Sequence, residues 1–391
     1  MLALKNGKII GDEILTGKNL YLYKGKIAAV TAQELPAEEV IDVQGAYIAP
    51  GFIDIHTHGA GGFDFMDGSL EAVKGAAAAH LRHGTTTLLP TTLSYGMDSV
   101  EQAIAQVWQA AGDESLPNLP GVHLEGPYFS PRQAGAQDPR FLSAPKQEEY
   151  EGLLHRWDGF IRRWSFAPEL PGAAEFCRAL TAHGVAPSVG HSDAEYSDVL
   201  RAYEAGCKTV THLYSGMSTI VRKNAYRVLG VVESAYLLED MMVEVIADGC
   251  HLPPELLRLV YRQKGPERIC LVTDSMRGAG MPDGLSMLGR LQDGVPCVIE
   301  DGVAKLPDRS AFAGSVATFD RLVRVMHREV GVPLTDCAKM ASTVPARVLG
   351  LQSHKGRIAE GYDADLVVFD EDITVWQVFV SRNGRVVRHD L

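Results

Sequence analysis

Six short stretches of this chain end apolar runs with side chains able to hold a metal or move a proton. "GFIDIHTHG", "HLEGP", "VGHSD", "THLYS", "ADGCH" and "VTDSM" contribute His56 and His58, Glu125, His191, His212, His251 and Asp274. Imidazole nitrogens with carboxylate oxygens suit Zn(II) first, and Fe(II), Mn(II) or Co(II) on the same donor set. A divalent ion lowers the pKa of water from about 15.7 toward 7, which makes hydroxide available at neutral pH. A carboxylate beside that water can pass its proton to a leaving group. Metal-assisted hydrolysis is the chemistry these residue types support.

Spacing sharpens the reading. Alternate residues on a strand share a face, so His56 and His58 point the same way and make half of a metal site. The small residues Gly59 to Gly62 then let the backbone pass close to a ligand. Glu125 ends an apolar strand, where a carboxylate must be neutral, paired with a base such as arginine, or bound to a cation. His123 lies on the same face but earlier, and is expected to pack in the core or behind a ligand. His191 and His212 occupy equivalent places on successive strands. Asp274 either ligates or takes the proton. The remaining histidines (His80, His83, His155, His183, His327, His354 and His389) fall on helix surfaces, helix ends or the tail, where solvation is expected.

Side chains this far apart in sequence meet only if the fold gathers them. Eight apolar runs serve as strand candidates: "GFIDIHTH", "TTTLLPTT", "LPGVHLEG", "IRRWSFAPE", "APSVGHSD", "KTVTHLYS", "MMVEVIADGCH" and "RICLVTDS". Each is followed by a helix or by a loop leading to one. This predicts a (β/α)8 TIM barrel, in which strand C-terminal ends converge on one mouth. Helical stretches such as "SLEAVKGAAAAHLRHG" and "PGAAEFCRALTAHG" close on a glycine, the usual C-cap residue. The two chain ends read instead as short strands with hairpin turns at Asn6-Gly7, Lys24-Gly25 and Asn383-Gly384. The expected organisation is a small β-sandwich domain from residues 1–50 and 355–391, around a barrel of residues 51–354. Arg277 to Arg309 carries hairpin signals of its own and reads as an excursion after the eighth strand.

Totals exclude several classes. At 391 residues, with 46% apolar and 22% charged side chains, the chain is an ordinary globular protein. A net charge of -12 without a long basic run argues against a nucleic-acid surface. No stretch approaches the roughly 20 apolar residues of a membrane span. The N-terminus has no signal-like core, so a cytoplasmic location is expected. Six dispersed cysteines without a CxxC pair read as free thiols in a reducing compartment.

In this order the motifs resemble the amidohydrolase superfamily, and more closely the N-acetylglucosamine-6-phosphate deacetylase family. The resemblance rests on "PGFIDIHTHG", "GVHLEGPYFSPRQAGAQDP", "VGHSDA", "THLYSGMS", "ADGCHLPPELL", "LVTDSM" and "AFAGS", and runs over nearly the whole chain. It implies a homodimer and hydrolysis of the substrate acetamide to acetate and glucosamine-6-phosphate. By position it implies Glu125, His191 and His212 as the main metal ligands. His56 and His58 match members that hold a second ion, so one or two ions are expected. Asp274 would act as general base and then acid, His251 would sit at the sugar-phosphate end, and Gln137 near the substrate carbonyl. Three segments depart from the family pattern, one of them "SMRGAG" after Asp274. Ser215-Gly216 stands where Asn-Ala is common, and "STIVRKNAYR" replaces a Gly-Arg-Glu-Pro-Gly segment. Arg222, Lys223 and Arg227 are candidates to replace the phosphate contacts, with a solvated basic loop as the other reading. The nearest alternative keeps the chemistry on N-acetylgalactosamine-6-phosphate or on another amide. A non-catalytic sugar-phosphate-binding barrel is the third reading.

Overall fold

A computed structural model describes residues 1–391. Eight parallel strands follow one another around a single sheet: β1 (Phe52–Thr57), β2 (Thr85–Thr92), β3 (Val122–Glu125), β4 (Ile161–Phe166), β5 (Ala186–Val189), β6 (Thr209–Val210), β7 (Met242–Val245) and β8 (Ile269–Leu271). Backbone bonds close the ring past the end of β8: Asp274 N–H donates to the His56 carbonyl at 2.8 Å, and His58 N–H to the Ser275 carbonyl at 2.8 Å. The expected barrel is therefore present, with every candidate strand used.

The strands read as apolar runs because both faces are covered. All eight residues of β2, TTTLLPTT, are buried. Pro90 lacks an N–H, and the β1–β2 register shifts between Leu88 and Pro90. Outside lie α1 (Leu70–Leu81), α2 (Met97–Ala110), α3 (Gln147–Arg156), α4 (Ala173–Ala182), α5 (Tyr196–Glu204), α6 (Val231–Leu237) and α7 (Pro254–Lys264). In α4 the buried residues Ala173, Phe176, Cys177 and Leu180 fall at helical spacing on one face. No helix is long and apolar enough to cross a membrane.

Both chain ends enter one six-stranded sheet. Tyr47–Pro50 pairs antiparallel with Leu366–Phe369 and then leads straight into β1. A four-stranded sheet built from residues between Leu2 and Asp42 shares a small core with it, including Leu4, Ile48, Leu366 and Phe379. Lys355 locks this region from inside. Its ammonium meets Asp365 directly and Asp363 Oδ2 at 3.0 Å. Asp365 also accepts the Ser381 N–H at 2.7 Å, while its carbonyl accepts the Gly51 N–H at 2.8 Å.

The excursion after β8 is longer than expected. Its four strands run from Gly284 to Ser315, and the last, Phe312–Ser315, returns to the barrel: Ser315 N–H donates to the Asp274 carbonyl at 2.8 Å. One histidine expected on a solvated helix surface is instead in the core. His80 is 3% exposed, and its Nε2 lies 2.9 Å from the Thr57 hydroxyl. Alanines line much of α1, so nothing in its pattern marks the buried side.

Two outcomes follow from these buried groups. Lys355→Met leaves buried Asp365 without its cation, while Asp363 retains Lys26 at 2.6 Å, and should lower unfolding stability by about 3 kcal/mol in a denaturant titration. Burial, with the nearby His83 charge, pushes the His80 imidazole down to about 3 from an ordinary 6.5. Between those values the unfolded chain binds the extra proton, so this group's share of stability falls as pH drops, by up to about 1.4 kcal/mol per pH unit. Metal-free His80→Gln protein should therefore lose less stability than the unsubstituted chain between pH 6.5 and 5, measured by urea unfolding.

Candidate active site

Six titratable side chains from five strand ends converge on the barrel axis. Glu125, the last residue of β3, stands at the centre and is 2% exposed. Its Oε1 lies 3.1 Å from His191 Nε2 and 3.0 Å from His212 Nε2. Its Oε2 is 3.3 Å from His58 Nε2 and accepts the Gln137 amide at 2.6 Å. Asp274 Oδ1 faces His58 Nε2 at 3.2 Å and His56 Nε2 at 3.4 Å. His191, His212 and His251 all lie beyond the last residue of their strands, in the loops.

Backbone conformation marks the same residues. His191, His212 and Asp274 have φ of 44°, 27° and 45°, in the left-handed region that non-glycine residues seldom enter. Such strain persists only where the surroundings impose it, and it gathers at functional sites. Here each residue is the point at which a barrel strand gives way to its loop. Gly216 is held for a related reason. With φ at 55°, a Cβ there would sit 2.8 Å from His191 Nδ1 and 3.2 Å from the Gln133 carbonyl oxygen.

Charge distribution favours a cation at this point. Burial opposes a charge on His56 and His58, yet the surrounding carboxylates outweigh it. Asp274, Glu244 and Glu125 raise His56 well above its usual value, and hydrogen bonding to Asp274 and Glu125 raises His58 to about 9. Conversely, Asp274 falls to about 2 despite its burial, held by the His56 charge and the His58 contact. Glu125 is likewise held well below the carboxylate range against its burial, by His56, His191 and His212. His56 Nε2, His58 Nδ1 and His212 Nδ1 are buried without hydrogen-bond partners. Three overlapping ligand sets result: His56 with His58 and Glu125; His56 with His212 and Asp274; and Glu125 with His191 and His212. A buried N/O donor set with excess negative charge and unpartnered nitrogens fits a divalent metal.

A cavity of about 330 Å³ opens over this cluster. Gln137, Ser215, Gly216 and His251 line it, as do Phe312 and Leu288 from the excursion. Gln137 is committed at both ends, because its Oε1 accepts the Ser94 N–H at 2.9 Å. His251 is oriented by Asp248, whose Oδ2 meets Nδ1 at 2.8 Å. Arg222 and Arg227 do not line the cavity. They lie opposite each other on an exposed hairpin of Val221–Lys223 and Tyr226–Val228. Lys223 on that hairpin pairs with Glu195.

The sequence of residues 47–388 matches the pattern of the amidohydrolase family. This chain belongs to the amidohydrolase family. Within this amidohydrolase group it is 33% identical to the N-acetylglucosamine-6-phosphate deacetylase of Lysinibacillus sphaericus, over 94% of this chain and 93% of that one. It is 31% identical to the N-acetylgalactosamine-6-phosphate deacetylase of Escherichia coli O157:H7, over 94% of each chain. Among solved structures, it superposes on the N-acetyl-D-glucosamine-6-phosphate deacetylase of Mycobacterium smegmatis, an aspartate-to-alanine mutant in complex with N-acetyl-D-glucosamine-6-phosphate. That match has a TM-score of 0.88 at 30% identity and covers 98% of both chains.

Beneath the amidohydrolase cluster lies a polar layer of which the motifs revealed only His123. Glu244 on β7 accepts from His56 Nδ1 at 3.0 Å and from the His212 backbone N–H at 3.1 Å. Its other oxygen is paired with Arg163 of β4, and both side chains are buried. Arg163 also donates to the Ser188 hydroxyl at 2.7 Å. His123 is buried there too, with Nε2 2.8 Å from the Ser165 hydroxyl. Burial and the Arg163 guanidinium push its imidazole well below the ordinary value. The signal for these residues was a charge inside an apolar strand, "IRRWSF" and "MVEV". Outer partners that fix a ligating imidazole are worth about 10–100-fold in metal affinity. Glu244→Gln should weaken divalent-metal binding by that factor in a chelator competition; an unchanged affinity would show that His56 needs no such support.

Proposed function

We propose that this chain hydrolyses the acetamide of N-acetylglucosamine-6-phosphate to acetate and glucosamine-6-phosphate. The observation that carries the reading is Glu125 held between His191 and His212, with Asp274 beside His58 at the floor of one cavity. Similarity along nearly the whole chain to deacetylases of this sugar phosphate supports the substrate.

A divalent cation, with Zn(II) the first candidate, would be held by Glu125, His191 and His212, and a second by His56 and His58; it supplies Lewis acidity, making water easier to ionise and a carbonyl easier to attack. The chain's own residues do the rest. Asp274 is ionised well below neutral pH, so it is ready to accept a proton from the attacking water. The same carboxyl group then hands that proton to the departing amine nitrogen. Gln137, braced by Ser94, holds the Glu125 carboxylate in position through its amide. His251 has Nδ1 occupied by Asp248, which leaves Nε2 to face the phosphate end of the sugar, near Ser215 and Gly216. Arg222 and Arg227 are proposed to reach phosphate only if their exposed hairpin meets the cavity of a second copy, in a homodimer. A cytoplasmic site of action belongs to the same proposal, as does the division into a β unit (1–50 and 355–391) and a barrel (51–354).

A second reading is supported by the 31% identical relative named for the galactosamine epimer. Acetate release from the two epimeric sugar phosphates separates these readings. Higher kcat/KM on the gluco epimer is expected, and preference for the galacto epimer would replace the first reading with the second. Equal rates on the unphosphorylated sugar would remove phosphate from the proposal. Asp274→Asn should lower kcat by at least about 10²-fold with metal content retained; loss of the metal together with activity would make Asp274 a ligand instead. Stripping the metal with a chelator should abolish turnover, and adding back Zn(II) should restore it.

A further inference from the structure

We propose a second divalent-metal site on the outside of the barrel, formed by Glu151, His155 and His183 and supported by Asp158. Glu151 and His155 are one turn apart on α3, so their side chains share a face. His183 is the C-cap of the neighbouring α4. Glu151 Oε2 stands 3.8 Å from His183 Nε2 and 3.8 Å from His155 Nδ1. One donor atom from each of the three residues lies within 4.8 Å of the others. The imidazole rings meet edge to face, with centroids 5.1 Å apart.

These separations are too long for hydrogen bonds, so three polar groups converge without satisfying one another. They are near what an ion requires. Bonds of about 2.0–2.2 Å in tetrahedral array place ligand atoms about 3.3–3.6 Å apart, a small rotamer adjustment from the observed spacing. One ring is already oriented. His183 Nδ1 faces Asp158 Oδ1 at 3.6 Å, which turns Nε2 toward Glu151. A carboxylate partner behind a ligating imidazole is the usual support of a metal site. His155 Nδ1, the nitrogen nearest the Glu151 carboxylate, donates to the Glu151 carbonyl at 2.7 Å and must release that bond to ligate.

Two nitrogens and one oxygen select Zn(II), Cu(II) or Ni(II) over Mg(II) and Ca(II). The carboxylates of Glu151 and Asp158 match a charge of two. Unlike the barrel cluster, this one is open to solvent: the His155 side chain is 69% exposed and Glu151 31%. An ion here would tie α3 to α4 and stabilise the folded chain by mass action. Because its ligands must be free of protons, binding weakens as pH falls.

The test compares holoenzyme with His155→Ala/His183→Ala protein, both dialysed against the same micromolar zinc buffer and assayed for metal by elemental mass spectrometry. The unsubstituted protein should hold one more equivalent of zinc than the double variant, at equal turnover. Glu151→Gln, which preserves helix and volume, should show a partial loss. Added zinc should also raise the unfolding midpoint of the unsubstituted holoenzyme and leave that of the double variant in place. Equal zinc content in all three proteins, or the same zinc-induced shift in the double variant, overturns the site.

Discussion

Negative charge buried at the barrel axis is the constraint around which this molecule is arranged. Glu125, Asp274 and Glu244 are all withdrawn from water in a space a few ångströms across. An isolated carboxylate there would be far too costly, so each must face positive charge or strong donors. Glu244 is answered from below by Arg163, while Glu125 is answered by imidazoles and one neutral amide, and Asp274 by imidazoles. Protons on His56 and His58 can fill that role in the metal-free protein, which is why those two rings are raised. The same geometry is better satisfied by an ion of higher charge, and the hydrolytic chemistry of the family follows from that preference.

The layer beneath has a cost in packing. TIM-barrel interiors are usually filled by branched apolar side chains, whereas this one carries Arg163, Glu244, His123, Ser165, Ser188 and Thr211 in a connected set. Each member has its orientation fixed by another. Rigidity is thereby passed upward to His56 and to the backbone N–H of His212, and the mouth inherits a defined floor. Left-handed φ at His191, His212 and Asp274 is the counterpart in the main chain: the strands end where these side chains turn inward.

Much of this was legible in the sequence because polar residues interrupting apolar strands are expensive and therefore informative. "TTTLLPTT" and "IRRWSF" fall on observed strands, and the six cluster residues could be named from their strand ends alone. What escaped notice depends on pairing across space. Arg163 and Glu244 each look like a stray charge until β4 and β7 are seen to face one another. His80 was misplaced because α1 is rich in alanine, which weakens the contrast between its two sides. The far end of the excursion was missed for another reason: Phe312–Ser315 finds its partner in the loop carrying Asp274, and no local pattern announces a partner of that kind.

The antiparallel pairing of Tyr47–Pro50 with Leu366–Phe369 reaches beyond the site. One of the two neighbours of the strand feeding β1 lies roughly three hundred residues away, so during synthesis this strand leaves the ribosome long before that neighbour exists. Such distant contacts slow folding and keep strand edges available to wrong partners. Lys8–Ile10 and the second barrel strand can hold this segment early, but the sheet beneath the barrel closes only when the last strands of the chain arrive.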